Sequence, residues 1–159
     1  MDDVSLRSVS QADLPVLFRH QRDPAANQMA AFTAEDPNDE SAFTDHWGKI
    51  LSDQGITKRT VLYQGQVAGY VLLFDLLGKP SVGYWLGREY WGKGIATQAL
   101  GQFLRIVPLR PLYARVAKDN HASIRVLEKC GFGICGEEKG FAPARGKEID
   151  ELVLSLPGP

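Results

Sequence analysis

The chain has 159 residues, 44% hydrophobic and 23% charged, which is typical of one soluble globular domain. Its formal net charge of -1 argues against nucleic-acid binding as the main function, because neutralising phosphates needs clustered Lys and Arg. The longest apolar run, residues 67–77, is too short to span a bilayer, and no signal peptide is visible at the start. We therefore expect a cytoplasmic protein with no membrane partner.

The two cysteines, Cys130 and Cys135, lie five positions apart, which fits neither a disulfide framework nor a zinc site. We therefore expect no metal and two reduced thiols. Their flanks predict a helix end and a strand start, so both are interpreted as buried packing residues rather than as a catalytic thiol.

The first third of the chain predicts one strand and two helices. Residues 4–9 alternate apolar and polar, as a half-buried strand does. Ser10 and Asp13 are both candidate N-caps for the next helix, and a proline two positions after Asp13 favours that residue. The stretch 23–38 is mixed and polar and is assigned no element. A second helix is expected over residues 39–52, because its apolar side chains recur with a 3.6-residue period.

The middle of the chain predicts three strands. Residues 60–63 and 67–74 flank Gln64-Gly65-Gln66, which favours a hairpin. The second strand is apolar on both faces, so we expect it at the centre of the sheet. A third strand is predicted over residues 81–86.

The second half begins with a glycine turn, Gly92-Lys93-Gly94, and a helix over residues 95–107. The remaining elements are a strand over 112–117, a helix capped by Asn120 and ending at Cys130, and strands over 132–136 and 149–156. The order β-α-α-β-β-β-α-β-α-β-β predicts a mixed α/β sheet in one layer with helices on both sides.

The segment around the glycine turn is predicted to bind a phosphate group. The first amides of a helix have no internal partner, and the helix dipole adds positive potential there. Gly92 and Gly94 let the backbone approach an anion closely, Lys93 adds a cation, and Thr97 adds a hydroxyl. Alone, this pattern also fits an ordinary strand-to-helix turn. Its spacing excludes a Walker loop and a Rossmann fingerprint.

Three stretches carry a resemblance to a known family. Glu89-Tyr90-Trp91-Gly92-Lys93-Gly94-Ile95-Ala96 resembles motif A of the GNAT superfamily of N-acetyltransferases, with Glu89 in place of the usual Gln or Arg. Gly83-Tyr84-Trp85-Leu86 is similar to the branch named for ribosomal-protein N-terminal acetyltransferases. Residues 120–132 resemble motif B, Asn-x-x-Ser…Glu-Lys-x-Gly-Phe.

The resemblance implies a single-domain GNAT-like fold, with an N-acetyltransferase domain over residues 1–156 and a short tail over 157–159. It implies that the strand ending near Leu86 splays from the parallel strand 112–117, and that the pantetheine arm of acetyl-CoA lies in the gap. The residues that it assigns to the cofactor are Tyr84, Trp85, Leu86, Trp91, Gly92, Lys93, Gly94, Ile95, Ala96, Thr97, Asn120 and Ser123. Lys93, Arg125 and Lys129 are further candidates for the adenosine 3′-phosphate.

The reaction implied is direct attack of an amine on the acetyl carbonyl, with no metal. Many family members carry a proton-donating Tyr seven residues after the motif B Asn, and this position is Leu127 here. Ser123 matches a Ser proposed as the acid in the ribosomal-protein branch, and it equally fits an ordinary position in a helix capped by Asn120.

The general base is not assigned. The branch often carries a Glu two residues before the Gly of Gly-Tyr-Trp, and this position is Ser81. The carboxylates that remain, each also interpreted as a solvated surface charge, are Glu35, Asp36, Asp75, Glu137 and Glu138. The histidines assigned no role are His20, His46 and His121.

The missing base suggests a weakly basic acceptor, because an α-amine has a pKa of about 7.7–8.0 and a lysine amine about 10.4. A protein N-terminus or a small amine is therefore the expected acceptor. Two alternatives stay open, a catalytically silent acyl-CoA-binding module and an enzyme that uses another acyl donor such as succinyl-CoA. The oligomeric state also stays open, with a homodimer as one option.

Overall fold

The computed structural model describes residues 3–158, which form seven strands and five α-helices. The strands are β1 (Val4–Ser8), β2 (Thr57–Tyr63), β3 (Gln66–Leu76), β4 (Lys79–Leu86), β5 (Leu112–Ala117), β6 (Gly133–Ala142) and β7 (Lys147–Leu156). The helices are α1 (Leu14–Gln21), α2 (Pro24–Ala30), α3 (Glu40–Ser52), α4 (Ile95–Ile106) and α5 (His121–Lys129). Short 3-10 turns lie at Gln11–Asp13 and Arg88–Tyr90.

All strands belong to one sheet in the order β1-β2-β3-β4-β5-β7-β6, which places β3 inside the sheet as predicted. Neighbouring strands are antiparallel except β4 and β5, which are parallel. The parallel pair is matched at one position, Ser81 opposite Tyr113. Beyond it the carboxyl-terminal halves of both strands are unpaired with each other, so the sheet opens into a gap there. This confirms the splayed pair that the family resemblance implied.

Helices cover both faces of the sheet, as the element order predicted. On one face, Phe103 of α4 and Leu127 of α5 pack with sheet residues in the main core cluster. On the other face, Leu17 of α1 and Trp47 of α3 belong to a second cluster, and the Trp47 ring packs edge-on against Tyr70 at 4.9 Å. None of the helices within residues 3–158 is long and apolar enough to cross a membrane.

Two tight hairpins set the lengths of the central strands. Gln64 and Gly65 both have positive φ, 51° and 81°, and so do Leu77 and Gly78, 53° and 79°. Two successive residues of this kind are typical of two-residue turns that match the twist of a hairpin. The predicted three-residue turn is therefore one residue too long, because Gln66 already belongs to β3.

The stretch 23–38, which was assigned no element, contains α2. Asp23 caps this helix by accepting a hydrogen bond from the Ala25 N–H at 3.0 Å, and Pro24 occupies its first turn. The buried side chains of α2 are only Ala26 and Asn27. The sequence therefore lacks the stripe of large apolar residues that predicts an amphipathic helix.

Strand β6 is twice the length predicted for it. The prediction stopped short because β6 lies at the edge of the sheet and most of its residues are exposed, so its sequence shows no regular apolar alternation. The prediction that Cys135 is buried is wrong, since this residue lies on the exposed edge strand. Cys130 is half-buried against the main core, and its Sγ lies 3.6 Å from the Thr97 carbonyl oxygen. Both thiols are free.

Asp13 stands at the N-cap position of α1, but its side chain does not cap that helix. Its carboxylate accepts two hydrogen bonds from Arg7 at 2.7 Å, one from the Thr60 hydroxyl at 2.7 Å, and one from the Ser10 N–H at 3.0 Å. These donors, Arg7 foremost, lower the pKa of the buried carboxyl to about 2. Asp13 therefore ties the start of α1 to strands β1 and β2.

Replacing Asp13 with Asn is expected to lower the free energy of unfolding by about 2 kcal/mol at pH 7, because the variant loses its ion pair inside a buried network. Urea denaturation measures this. The folded-state pKa of Asp13 lies below the ordinary value of 3.8. The contribution of its ionised carboxylate to the free energy of unfolding is therefore complete above about pH 4 and is lost as the pH falls towards 2. The exposed Asp45 of α3 provides the control, since Asp45→Asn should cost less than about 0.5 kcal/mol. Equal effects of the two substitutions would contradict the prediction.

Candidate functional site

A cleft of about 550 Å³ lies at the open end of the gap between β4 and β5. Its walls come from the end of β4, the glycine loop (residues 91–94), the first turn of α4, one face of α5 along its whole length, and α2. Every residue that the sequence assigned to the cofactor lines this cleft except Lys93. Two motifs that are far apart in the chain therefore meet in one cavity.

The glycine loop has the backbone of an anion site. Gly92 and Gly94 both have φ of 75°, and Gly94 is the N-cap of α4. An added Cβ at either position would meet no atom of residues 3–158 within 4 Å, so the left-handed backbone, rather than crowding, requires glycine. The first helical hydrogen bond runs from the Gln98 N–H to the Gly94 carbonyl at 3.2 Å. The amides of residues 95–97 are therefore the free first donors of the helix, beside the cleft.

The turn that leads into the glycine loop is anchored to the sheet. The Trp91 indole N–H donates to the Leu86 carbonyl at 3.1 Å, and the Gly87 N–H donates to the Ala68 carbonyl at 2.9 Å. Tyr90 packs edge-on against Tyr63. These contacts fix where the loop leaves β4.

The cationic side chains near the cleft belong to α5 and to the glycine loop, and they are placed differently. Arg125 and Lys129 are exposed, stand one turn apart on α5 and line the cleft. Neither forms an ion pair with a carboxylate of residues 3–158. Lys93, which was expected to add a cation beside the phosphate, does not line the cleft, and its ammonium lies over the Tyr63 ring, 5.8 Å from the centroid.

Ser123 and Asn120 lie at the start of α5, where motif B placed them. The Asn120 Oδ1 accepts a hydrogen bond from the Ser123 N–H at 3.3 Å, which confirms the predicted cap. The Ser123 Oγ lies 2.6 Å from the Tyr84 hydroxyl of β4. Burial raises the pKa of Tyr84 to about 12. Leu127, at the position where many relatives carry a Tyr, is buried in the core.

The contact between Tyr84 and Ser123 was not predicted. Sequence reasoning placed Tyr84 in the cleft through its backbone alone. Strand alternation gives the face on which its ring lies, but a periodic pattern carries no information on how far β4 stands from α5.

None of the carboxylates named as candidate bases lines the cleft. All of them are exposed, and Glu137 and Glu138 form ion pairs with Lys118 and Arg115 at 3.0 and 2.7 Å. Ser81, at the position where the branch often has a Glu, is buried at the closed end of the gap, and its hydroxyl donates to the Lys79 carbonyl at 3.1 Å. The geometry therefore leaves the general base unassigned, as the sequence did.

His20 lies under the turn between β4 and the glycine loop. It is only 4% exposed, and neither ring nitrogen has a hydrogen-bond partner within residues 3–158. Its Nε2 is 3.6 Å from the Glu89 carboxylate, and burial lowers the pKa of the ring. A Cβ on Gly87 would come within 2.6 Å of the imidazole. A neutral His20 therefore packs directly against the backbone of this turn.

The apolar wall of the cleft comes from α2 and Trp85. Ala26, Met29 and Ala30 line it from the helix, and Met29 is 39% exposed. The Trp85 indole N–H is buried and has no hydrogen-bond partner within residues 3–158. The helix that sequence reasoning missed thus forms one side of the candidate site.

The model of the acetyltransferase (GNAT) domain matches residues 3–133. The chain belongs to the GNAT acetyltransferase family. It is 24% identical over 163 residues to the uncharacterized N-acetyltransferase p20 of Bacillus licheniformis, covering 96% of this chain and 92% of that protein.

Two solved structures share the fold of this GNAT acetyltransferase. The microcin C7 self-immunity acetyltransferase MccE, in complex with acetyl-CoA and AMP, matches with a TM-score of 0.82 at 19% identity, covering 99% of this chain and 93% of that chain. The ribosomal L7/L12 α-N-protein acetyltransferase RimL, in complex with coenzyme A, matches with a TM-score of 0.80 at 21% identity, covering 98% of this chain and 94% of that chain. Both support the mixed α/β sheet predicted from the sequence.

Family membership makes this protein an acetyl-CoA-dependent N-acetyltransferase, which confirms the predicted enzyme class and donor. Within residues 3–158, no group of three or more His, Cys, Asp and Glu side chains is arranged to hold a metal ion. The polar groups at the cleft include backbone amides, the hydroxyls of Tyr84, Thr97 and Ser123, the Asn120 amide, and the cations of α5.

Acetyl-CoA at 100 times its dissociation constant is expected to stabilise the protein by about 2.7 kcal/mol. Gly94→Val should remove most of this gain, because a β-branched residue is strongly disfavoured at a φ of 75°. Thermal unfolding with and without acetyl-CoA measures the difference.

The matched control is Gly48→Val on the exposed face of α3, where an added Cβ meets nothing within 4 Å. This variant should keep the full gain on adding acetyl-CoA. A Gly94→Val protein that keeps it too would show that the glycine loop does not hold the donor.

Proposed function

We propose that this enzyme acetylates an α-amine or another weakly basic primary amine, with Ser123 as the hydrogen-bond donor to the leaving sulfur. The observation that carries this is the chemistry of the cleft. Among residues 3–158, hydroxyls and cations line it, but no carboxylate and no histidine does. An acceptor that is already largely neutral at cellular pH suits such a site.

The donor is proposed to lie along the cleft in one direction. Its pyrophosphate would bind the amides of residues 92–97, and Arg125 and Lys129 would face the adenosine phosphates. Its pantetheine arm would enter the gap and pair with the backbone of residues 84–86. The unmatched edges of β4 and β5 support this, because strand backbone without a partner has free donors and acceptors. For Lys93, the backbone N–H is the part proposed to contact the donor.

The reaction follows from that placement. The amine nitrogen forms a bond to the carbonyl carbon of the thioester, and the C–S bond breaks with its electron pair going to sulfur. The nitrogen loses a proton to solvent, and the thiolate gains one. A hydrogen bond from Ser123 to the sulfur would stabilise the charge that develops there, as general-acid catalysis requires.

The acceptor class is argued from free energy. Neutralising an α-amine at pH 7 costs about 1 kcal/mol, whereas a lysine amine costs about 4–5 kcal/mol. The described residues place no carboxylate or histidine at the cleft to offset the larger cost. RimL, which shares this fold, is described as an α-N-protein acetyltransferase, and this favours a protein N-terminus among the weakly basic amines.

We further infer one acetyltransferase domain over residues 1–156 with a tail over 157–159, acting in the cytoplasm. The sheet that spans Val4 to Leu156 supports the domain bounds.

Two peptides of equal length test the acceptor class, one with a free N-terminus and no lysine, the other with a blocked N-terminus and one lysine. Release of free thiol from acetyl-CoA is followed at pH 7 and pH 9. The α-amine peptide should react about 10²–10³-fold faster at pH 7, and the gap should narrow at pH 9, because more lysine is then neutral.

A preference for the lysine peptide at pH 7 would contradict the proposed acceptor. Succinyl-CoA serves as the control donor and should support less than a tenth of the thiol release, about 1.4 kcal/mol of discrimination. Stabilisation by acetyl-CoA without thiol release from any amine would identify a silent binding module.

A further inference from the structure

We propose that the Tyr84 hydroxyl is a positioning residue for acetyl transfer, which holds the Ser123 hydroxyl so that its proton faces the leaving sulfur. This inference rests on the proposed function, because Ser123 is the donor there. It assigns a role to a side chain outside the two motifs and replaces a single acid with a linked pair.

The pair bridges the two walls of the cleft. Tyr84 is on β4 and Ser123 is on α5, and their oxygens are 2.6 Å apart although the residues are 39 positions apart in the chain. Both side chains line the cleft. The backbone of Ser123 is itself held by Asn120, so the hydroxyl is constrained from two directions.

The direction of this hydrogen bond follows from acidity. A serine hydroxyl has one proton and two acceptor lone pairs, and so has a tyrosine hydroxyl. Either oxygen could donate in this contact, and we assign Tyr84 as the donor and the Ser123 Oγ as the acceptor, because a phenol is a stronger acid than an aliphatic alcohol. The Ser123 proton is then free to point into the cleft. Without Tyr84, that hydroxyl could turn back to the carbonyl of Asn120 or Asp119, three or four residues earlier, as helical serines do.

Tyr84 does not itself lose its proton in this step. Burial raises its pKa to about 12, well above the value of about 8.5 of an ordinary thiol. A tyrosinate would therefore not form as the thiolate leaves. The pair acts as two hydrogen bonds in series that stabilise the sulfur while the C–S bond breaks, and such bonds strengthen each other in a low-dielectric site.

The test is a double-mutant cycle with Tyr84→Phe, Ser123→Ala and the double variant, in thiol-release kinetics with the best amine. Ser123→Ala should lower kcat about 10²-fold, and Tyr84→Phe about 10-fold, with KM and the dissociation constant of acetyl-CoA within about twofold of wild type. The kcat of the double variant should equal that of Ser123→Ala, because Tyr84 acts only through Ser123.

Tyr70→Phe is the matched control, since this tyrosine is half-buried like Tyr84 and its pKa is also raised to about 12, but it packs on Trp47 away from the cleft. It should leave kcat unchanged. Ser123→Thr keeps a hydroxyl and should retain more than a tenth of kcat while Tyr84 is present. Adding Tyr84→Phe to Ser123→Thr should lower kcat by a further factor of about 10.

Three results would overturn the inference: unchanged kcat in Tyr84→Phe, a loss of acetyl-CoA affinity that accounts for its defect, or a further tenfold loss when Tyr84→Phe is added to Ser123→Ala. The last would make Tyr84 a direct donor. Wild-type protein without thiol release, or Ser123→Ala with full kcat, would instead overturn the proposed function, so the two failures are distinguishable.

Discussion

The site depends on the single matched position between two parallel strands. Strand β4 pairs with β3 along its whole length, and β5 pairs with β7, but β4 and β5 meet only where Ser81 faces Tyr113. The sheet thus consists of two antiparallel halves that are joined by one short parallel pairing. Beyond this pairing, backbone N–H and C=O groups of β4 and β5 are unmatched, and burying them without partners would destabilise the fold. At the carboxyl ends of the strands it instead borders a cleft, where a ligand can complete the pairing.

The other parts of the site are placed by that opening. The Trp91 indole N–H on the Leu86 carbonyl and the His20 ring against Gly87 fix the turn that follows β4. This turn delivers Gly94 in the left-handed conformation that starts α4. On the opposite wall, the hydrogen bond between Ser123 and Tyr84 ties α5 to β4 across the gap. The glycine loop and the Tyr84–Ser123 pair, which are the proposed anion-binding and reacting ends of the cleft, are therefore both held in place by β4.

Features fixed by short-range physics were predictable from the sequence, and features fixed by distance in space were not. The glycine loop and the Asn120 cap follow from backbone torsion and unpaired helix amides, which act within a few residues. Helix α2 was missed because its buried side chains are small, and the long edge strand β6 because it has no buried face to impose alternation. The Tyr84 contact depends on how β4 stands relative to α5, and no local pattern encodes that.

The most direct test of this description is calorimetric titration of the wild-type protein with coenzyme A, with adenosine 3′,5′-diphosphate and with pantetheine. If the glycine loop and α5 hold the phosphates, coenzyme A should bind and the diphosphate should retain part of its affinity. Pantetheine, which lacks the pyrophosphate, should bind at least about 100-fold more weakly than coenzyme A, a loss of about 2.7 kcal/mol. Pantetheine binding as tightly as coenzyme A, or no binding of coenzyme A, would contradict the assignment of this cleft.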